Sequence, residues 1–451
     1  MVERAAVILA AGQGTRMKSA MPKVLHAVGG RAMIDWSIAL ARESGCTRTI
    51  VVCSPGQDDL QAHVRAELGD DGVAIQAEAL GTGHAVLAAS GALEGFSGTV
   101  AVFFGDNPLI PTEPVNALFD AVSEGAAIGV LGFKAEVPGS YGRLVTDASG
   151  ALQAIVEAKD ATPTQLDIDF CNSGVTAGTK ADLFRYLGQV RNNNAKGEYY
   201  LTDVVALAVA EGRVCRAVAC DEADTLGVNT RAQLAAAEAA FQKRKRAEMM
   251  ADGVTLVAPD TVFFSYDTVI GQDVVVSPHV VFGPGVRIGS GTVIGAFSHL
   301  EGADVASDCR VGPHARLRPG AVLESGAVVG NFVEVKAVHM GAGAKANHLA
   351  YLGDGTVGAG ANIGAGTIFC NYDGVMKHQT VVGQGGFVGS NSALVAPVTI
   401  GDGAIVGSGS VITDDVPAGS LALGRAKQVV KPDRAKSMRR ARRAAKKTEG
   451  N

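Results

Sequence analysis

The stretch Val281-Phe282-Gly283-Pro284-Gly285-Val286-Arg287-Ile288-Gly289-Ser290-Gly291-Thr292-Val293-Ile294-Gly295 sets an apolar residue before glycine at Phe282-Gly283, Ile288-Gly289 and Ile294-Gly295, six positions apart each time. Six is neither the period of a helix nor that of a strand, and hairpins would signal turns every ~8–12 residues. The same pair stands upstream at Ile270-Gly271. After a register skip of one residue it resumes through Val311-Gly312, Leu317, Leu323, Val329-Gly330, Leu352-Gly353, Val357-Gly358 and Ile363-Gly364, then Val382-Gly383, Val388-Gly389, Leu394, Ile400-Gly401 and Val406-Gly407. Only one side chain in six need point to an axis, and glycine follows where the backbone turns a corner. A parallel β-helix explains the pattern, and three hexapeptides per coil predict about nine or ten coils. One excursion interrupts it between Phe369 and Val382, containing Cys370-Asn371-Tyr372-Asp373-Gly374. A structural repeat needs no such loop, which makes it a functional suspect.

Composition agrees with a coil that occupies part of the chain. Of the 58 glycines in 451 residues, 31 fall within 251–424. Glycine falls far short of every third residue, which excludes collagen. Charged residues at 19% beside 47% hydrophobic ones exclude a mostly disordered chain, and no run reaches the ~20 apolar residues of a membrane span. The N-terminus runs straight into a first strand without a convincing signal peptide, and a cytoplasmic protein is expected. The net charge of −5 conceals a split. Residues 425–451 hold 11 Lys and Arg against two acids, and the rest of the chain carries a net −14. The basic tail is expected to be a solvated, partly disordered end. Seven cysteines without a C-x-x-C pair read as free, mostly buried thiols.

Residues 1–228 alternate short apolar runs (7–10, 49–53, 99–104 and 128–133) with helical patterns at 34–44, 59–68 and 114–123. This is the signature of an α/β domain with a doubly wound, mostly parallel sheet. Residues 229–252 open on a capping box, Thr230-Arg231-Ala232-Gln233, and carry Leu234, Phe241 and Glu248-Met249 at heptad spacing. A connecting helix of roughly 33 Å is expected there, with one more helix of the α/β domain as the alternative. The domain reading is then 1–228, 229–252, a β-helix over 253–424, and a basic tail over 425–451.

The first strand ends in Leu9-Ala10-Ala11-Gly12-Gln13-Gly14-Thr15-Arg16-Met17, with Pro22-Lys23 close behind. The glycines let backbone N–H groups converge on an anion, and Arg16 and Lys23 supply charge. The loop is neither the dinucleotide fingerprint nor a P-loop, since Met17 stands where the former needs glycine and no G-K-S/T follows. Asp106 closes the apolar strand 101–104, and ligands of α/β sheets bind at the carboxyl ends of strands. In the coil region, Arg318 and Lys336 stand 18 residues apart, one coil, in a repeat that otherwise avoids charge; they could bind a sugar phosphate. His348, Tyr351 and Asn362 recur near them at about coil spacing.

L-A-A-G-x-G-T-R-M followed by P-K resembles the signature of sugar-nucleotide pyrophosphorylases. With the hexapeptide coil behind it, the chain from residue 7 to about 425 resembles the bacterial bifunctional N-acetylglucosamine-1-phosphate uridylyltransferase/glucosamine-1-phosphate N-acetyltransferase family. The resemblance implies an α/β nucleotidyltransferase domain, a left-handed parallel β-helix and a homotrimer. It also implies UDP-N-acetylglucosamine synthesis for cell-wall precursors. Residue by residue it implies UTP and sugar-nucleotide contacts at Leu9, Ala10, Ala11, Gly12, Gly14, Arg16 and Lys23. Uracil would be held at Gln76, Gly81 and Thr82, and sugar at Gly142, Glu157 and Asn172. Asp106 and Asn229 would ligate Mg²⁺. In the coil it implies His348 as general base, and Arg318, Lys336, Tyr351 and Asn362 for glucosamine 1-phosphate. Ala365, Asn371, Tyr372, Ser390, Ser408 and Arg425 would meet acetyl-CoA. Ser173 stands where threonine is usual, Ser408 where alanine is common, and Ala350 where a hydroxyl residue is frequent. The partners expected are UTP, N-acetylglucosamine 1-phosphate, glucosamine 1-phosphate and acetyl-CoA, with no nucleic acid. The competing readings are a monofunctional pyrophosphorylase with a regulatory β-helix and a non-catalytic scaffold on the same two domains.

Overall fold

A computed structural model describes residues 2–194 and 196–448. It divides into two compact units: the chain up to Glu248 together with Phe264–Tyr266, and Met249–Phe263 together with the chain from Asp267 onward.

The first unit is built on nine strands: β1 (Arg4–Leu9), β2 (Cys46–Cys53), β3 (Val73–Ile75), β4 (Thr99–Phe104), β5 (Ile128–Lys134), β6 (Arg143–Thr146), β7 (Leu152–Val156), β8 (Phe170–Thr179) and β9 (Cys215–Cys220). The main path runs β9-β5-β8-β4-β1-β2-β3, with β6 paired to β8 and β7 at one side. All neighbours on the path are parallel except β8, which is antiparallel to both β4 and β5. Besides a single turn at Pro163–Leu166, the helices are α1 (Met33–Glu43), α2 (Asp58–Leu68), α3 (Thr82–Ala88), α4 (Thr112–Ser123), α5 (Lys180–Leu187), α6 (Asp203–Ala210) and α7 (Arg231–Ala251). Successive strand residues point to opposite faces. Ala5, Val7, Val52, Val100 and Val102 therefore join one buried cluster, while Ala6, Ile8, Val51, Ala101 and Phe103 join the other. Being apolar on both sides is what buries β1 and β4 in the centre and brings their carboxyl ends, Leu9 and Phe104, side by side. Helix α7 sinks Ala237 and Phe241 into a third cluster with Met17, Val28, Met33 and Leu109, and thereby packs beneath the loops that follow β1 and β4.

The second unit is the coil. Ten short parallel strands stack in one ladder, from Thr255–Leu256 through Val293–Ile294, Arg310–Val311 and Lys345–His348 to Leu421–Ala422. The remaining strands form the other parallel ladders. In nearly every two-residue strand the second side chain is the buried one, as at Ile288 (4% exposed), Ile294 (0%) and Leu317 (0%). Val275 pairs with Val293, a step of 18 residues, and Val293 with Arg310, a step of 17, so the coil length is not fixed. Asn362 pairs with Phe387, a step of 25 that contains the excursion, whose Tyr372 and Lys377 bridge as a small hairpin. The glycine after each core aliphatic was read as a corner residue. A tighter constraint acts on it in this structure: a Cβ on Gly289 would lie 2.6 Å from the Ala306 carbonyl carbon, and one on Gly295 2.7 Å from the Pro313 nitrogen. The next coil excludes the side chain. The tail, expected as a partly disordered end, contains an exposed helix α8 (Arg434–Thr448).

All seven cysteines are free. Burial pushes the Cys46 and Cys220 thiols up to about 12, and those of Cys53 and Cys215 up to about 11. At about pH 8 these four stay protonated and unreactive. A chromogenic disulfide reagent is expected to leave them unlabelled in the folded chain and to reach all four after guanidinium denaturation, measured as absorbance against time.

Candidate functional site

Two adjoining clefts open at the carboxyl ends of β1 and β4. One, of about 260 Å³, is lined by Leu9, Ala10, Ala11, Gly12, Lys23, Gln76, Gly81, Thr82 and Asp106. The other, of about 580 Å³, is lined by Arg16, Gly142, Glu157, Asn172 and Asn229 and shares Thr82, Phe104, Asp106 and Glu198 with the first. Of the residues expected to touch nucleotide or sugar in this unit, only Gly14 lines neither cleft. It sits behind Lys23 at φ +60, and a Cβ there would stand 2.6 Å from the Lys23 Cβ. Glycine lets the lysine backbone close in on the loop, which aims the ammonium.

That ammonium lies between two groups. Lys23 Nζ donates to Asp106 Oδ2 in a short contact and to Asn229 Oδ1 at 3.0 Å. Arg16 Nη2 donates to the same Asn229 oxygen at 2.9 Å. Asp106 and Asn229 are joined through their loops as well, since the Val228 N–H donates to the Asp106 carbonyl at 2.9 Å. A carboxylate and an amide oxygen that converge on one cation are hard donors suited to a magnesium-type ion completed by water and phosphate oxygens. No cluster of three or more His, Cys, Asp or Glu stands ready for a metal among the described residues, so a cation placed here would have few protein ligands.

The surrounding loops are held by side chains. Gln76, 6% exposed, donates to the Gly81 carbonyl at 3.1 Å. Thr82 Oγ1 accepts from the Leu201 N–H at 2.9 Å, and the Gly83 N–H donates to the Tyr199 carbonyl at 2.8 Å. The segment 198–201 thus closes against 81–83. Asn172 Oδ1 accepts from Gly174 N–H at 2.9 Å, and its own N–H donates to the Gly142 carbonyl at 2.8 Å. Burial raises the Glu157 carboxyl above its ordinary range, against the pull of Lys196. Sequence reasoning missed Glu198 and Lys196, which line the clefts, and Gln57, whose amide reaches the Ala10 and Gly12 carbonyls at 3.4 and 3.3 Å. An adjacent aromatic pair, Tyr199-Tyr200, in a chain poor in aromatics was the available signal.

In the coil the expected residues fall into three groups. His348 Nδ1 bonds Asn331 Oδ1 at 2.6 Å across paired strands. With the amide oxygen accepting, the ring proton sits on Nδ1 and Nε2 keeps a free lone pair. The hollow beside it, about 400 Å³, includes Arg310, Asn331 and Asn347 but not Arg318, Lys336, Tyr351 or Asn362. Those cations belong to a second cluster. Arg318 donates to Glu334 at 2.8 Å, Lys336 to Asp354 at 3.2 Å, and Asn371 to the other Asp354 oxygen. Gly353 lies under the Tyr351 hydroxyl and the Asn371 amide, either of which a Cβ would strike. Lys377, from the excursion, meets Lys336. The hydrogen bond between them, then Asp354, lifts Lys336 above the ordinary lysine range, while Lys336 pulls Lys377 below it. Asn362 pairs instead with Lys345 and Phe387, and Tyr372 is spent on the hairpin, its hydroxyl donating to the Gly374 carbonyl at 2.6 Å. The third group is a column: Ala365, Ser390 and Ser408 recur on successive coils, and Arg425 Nη1 donates to the Ser408 carbonyl at 2.9 Å. Sequence reasoning missed Asn331, Asp354 and Lys377; Asn331 precedes His348 by one coil, a spacing that pointed to it.

The fold and the paired clefts define a nucleotidyltransferase unit joined to a hexapeptide-repeat transferase coil. Residues 6–166 match the MobA-like NTP transferase domain, and residues 267–302 match the bacterial transferase hexapeptide of six repeats. A Hyphomonas neptunium protein named "Bifunctional protein GlmU" is 60% identical over 99% of this chain and 96% of its own length. Proteins of the same name from Rhodospirillum rubrum and Caulobacter vibrioides are 56% and 55% identical, over 97% and 98% of this chain and 98% and 96% of theirs. The chain belongs to this bifunctional GlmU family.

Gly14→Ala is expected to push Lys23 off Asp106 and Asn229. A displacement of about 1 Å at a positioning group can cost about a hundredfold in rate. Nucleotidyl transfer should fall by that order while the far-UV circular dichroism stays unchanged.

Proposed function

We propose that the protein makes UDP-N-acetylglucosamine in two steps. The coil moves an acetyl group from acetyl-CoA to glucosamine 1-phosphate, and the α/β unit then joins the product to UTP and releases pyrophosphate. The observation that carries this reading is the presence of two polar clusters in one chain of the GlmU family, Arg16–Lys23–Asp106–Asn229 in the first unit and His348–Asn331 with Arg318–Lys336–Lys377 in the second. A monofunctional enzyme would have no use for the second cluster, nor a scaffold for either.

In the first unit a phosphate oxygen of the sugar attacks the α-phosphorus of UTP, and the bond to the bridging oxygen breaks with pyrophosphate leaving. Gly12 and its neighbours bind the triphosphate through backbone N–H groups, Lys23 and Arg16 neutralise it, and Gln76, Gly81 and Thr82 hold the base. Gly142, Glu157 and Asn172 orient the sugar. A divalent cation, Mg²⁺ in this reading, would be held by Asp106 and Asn229 and supplies charge neutralisation on the transferring phosphate. No strong base is needed, because positioning and charge dominate phosphoryl chemistry.

In the coil the glucosamine amine attacks the thioester carbonyl, the C–S bond breaks, and His348 Nε2 takes the amine proton. Asn331 fixes the tautomer that leaves Nε2 basic. Arg318, Lys336 and Lys377 hold the sugar phosphate with Tyr351, and Asn362 borders the same acceptor. Ala365, Asn371, Tyr372, Ser390, Ser408 and Arg425 receive acetyl-CoA.

The active assembly is a homotrimer acting in the cytoplasm. No helix among the described residues is long and apolar enough to cross a membrane. Support for the trimer comes from a ladder of stacked rings, His279, Phe297, His314 and Phe332, with centroids 4.9, 5.0 and 5.0 Å apart. Phe297, Phe332 and Leu349 are 55, 56 and 59% exposed in the single chain, and Leu349 adjoins His348. An apolar ladder beside a shallow hollow is what a second copy would cover.

An assay with acetyl-CoA, glucosamine 1-phosphate and UTP tests both halves. Asp106→Ala is expected to cut pyrophosphate release by about a hundredfold or more and spare CoA release. His348→Ala is expected to cut CoA release by a similar magnitude and to keep pyrophosphate release once N-acetylglucosamine 1-phosphate is supplied directly in place of glucosamine 1-phosphate. Either variant keeping the product it should lose sinks its half of the reading. The double variant Phe297→Asp/Phe332→Asp should fall from trimer to smaller species by light scattering and lose CoA release while keeping pyrophosphate release from supplied N-acetylglucosamine 1-phosphate and UTP.

A further inference from the structure

Helix α7 carries a residue that belongs to neither cleft yet touches the supports of both proposed cation ligands. Arg244 Nη1 donates to the Leu109 carbonyl at 2.8 Å. Its Nη2 donates to the Ala223 carbonyl at 3.0 Å and to Asp224 Oδ1 at 2.6 Å. Leu109 lies on the loop that starts at Gly105-Asp106, and Ala223-Asp224 on the segment that runs to Gly227-Val228-Asn229. One guanidinium therefore fastens together the two loops whose ends face Lys23. Burial raises the Asp224 carboxyl, and the Arg244 charge opposes that rise. A planar fork holds its donors at fixed angles in one plane, whereas the three donors of an ammonium rotate on a flexible stem.

At the ligand end the loops are also joined by the Val228 N–H donating to the Asp106 carbonyl at 2.9 Å, while Arg244 clamps them further back, from the helix. Asn107 Nδ2 reaches the Thr225 carbonyl at 3.5 Å and the Ser173 carbonyl at 3.4 Å. At the head of α7 the capping box acts on Asn229 itself: its N–H donates to Gln233 Oε1 at 2.9 Å, and the Gln233 N–H to Thr230 Oγ1 at 3.2 Å. Asn229 is thus fixed to the helix start, and Arg244, three to four turns on, fixes the Asp106 loop to the same helix.

From this geometry we infer that Arg244 is a positioning residue for the divalent cation, holding the Asp106 loop at the distance from Asn229 that lets both oxygens reach one ion. The inference rests on the reading of Asp106 and Asn229 as its ligands. Residues that orient metal ligands from behind cost about 10- to 100-fold in metal affinity when removed. Arg244 touches no substrate-lining group, so its loss acts on the cation before it acts on UTP.

The test is Mn²⁺ binding to the full chain, followed by electron paramagnetic resonance with UDP-N-acetylglucosamine present. Wild type is compared with Asp106→Ala, Arg244→Ala and Arg244→Lys. Expected is at least about a tenfold loss of Mn²⁺ affinity in Arg244→Ala, partial recovery in Arg244→Lys, and KM for UTP at saturating Mn²⁺ within about twofold of wild type. Acetyl transfer, measured on the same samples, reports the integrity of the chain. Wild-type Mn²⁺ affinity in Arg244→Ala, with Asp106→Ala defective, overturns the inference alone. Wild-type affinity in Asp106→Ala overturns the ligand reading beneath it. Should Arg244→Ala fail to fold, Arg244→Lys decides: a measurable loss of Mn²⁺ affinity supports the inference, and none overturns it.

Discussion

The contact on which the first unit depends is the Lys23 ammonium lodged between the Asp106 carboxylate and the Asn229 amide. It joins three segments far apart in sequence: the loop after β1, the loop after β4, and the head of α7. None of them is regular structure, and each would be free to drift without a common partner. The sheet brings the first two together because β1 and β4 are adjacent and parallel, so their carboxyl ends coincide. The helix brings the third, because Phe241 and Ala237 are buried under the first two loops. Packing supplies the proximity; the cation supplies the register.

The coil reaches proximity by another route. Most of its strands are two or three residues long and carry almost no information individually. Stacking converts a spacing in sequence into a contact in space: a residue meets what stands 17 or 18 positions later. That is how Asn331 meets His348, and how Lys336 meets Asp354. The excursion adds a contact that no spacing could produce, since it folds Lys377 back onto Lys336 from outside the repeat.

This explains what the sequence made legible. The period of six and the glycines announced the coil. The apolar runs at 7–10, 49–53, 99–104 and 128–133 correspond to β1, β2, β4 and β5, because strands apolar on both faces have few alternatives. Asp106 could be singled out by its place at a strand end. The antiparallel β8 could not, since hydrophobic pattern is blind to strand direction. The partners of the expected residues were less plain: Asn331 and Asp354 are ordinary polar residues until a coil step of 17 or 18 is known, and Lys377 until the excursion is seen to fold back. Arg244 reads as one more exposed arginine on a helix, and only the closure of two loops onto it gives it meaning. The glycines were found for one reason and are required for another, as the contacts around Gly289 and Gly295 demonstrate.

Both clusters solve the same electrostatic problem. The body of the chain is acidic, and the field it produces repels phosphate. Yet neither cluster presents bare cations: Lys23 is engaged by Asp106, Arg318 by Glu334, and Lys336 by Asp354. A free ammonium in a half-buried cleft would be costly, and an internal carboxylate removes that cost. The consequence is that an anion entering either cluster exchanges with a carboxylate instead of capturing an idle charge. What keeps the exchange favourable is an excess of one cation at each centre. Arg16 and Lys23 face one carboxylate, and Arg318, Lys336 and Lys377 face two. The weakened proton affinity of Lys377 is the local mark of that excess, an ammonium crowded by another with too little carboxylate to share. In the proposed acetyl-transfer site, the sugar phosphate is the anion that would relieve it.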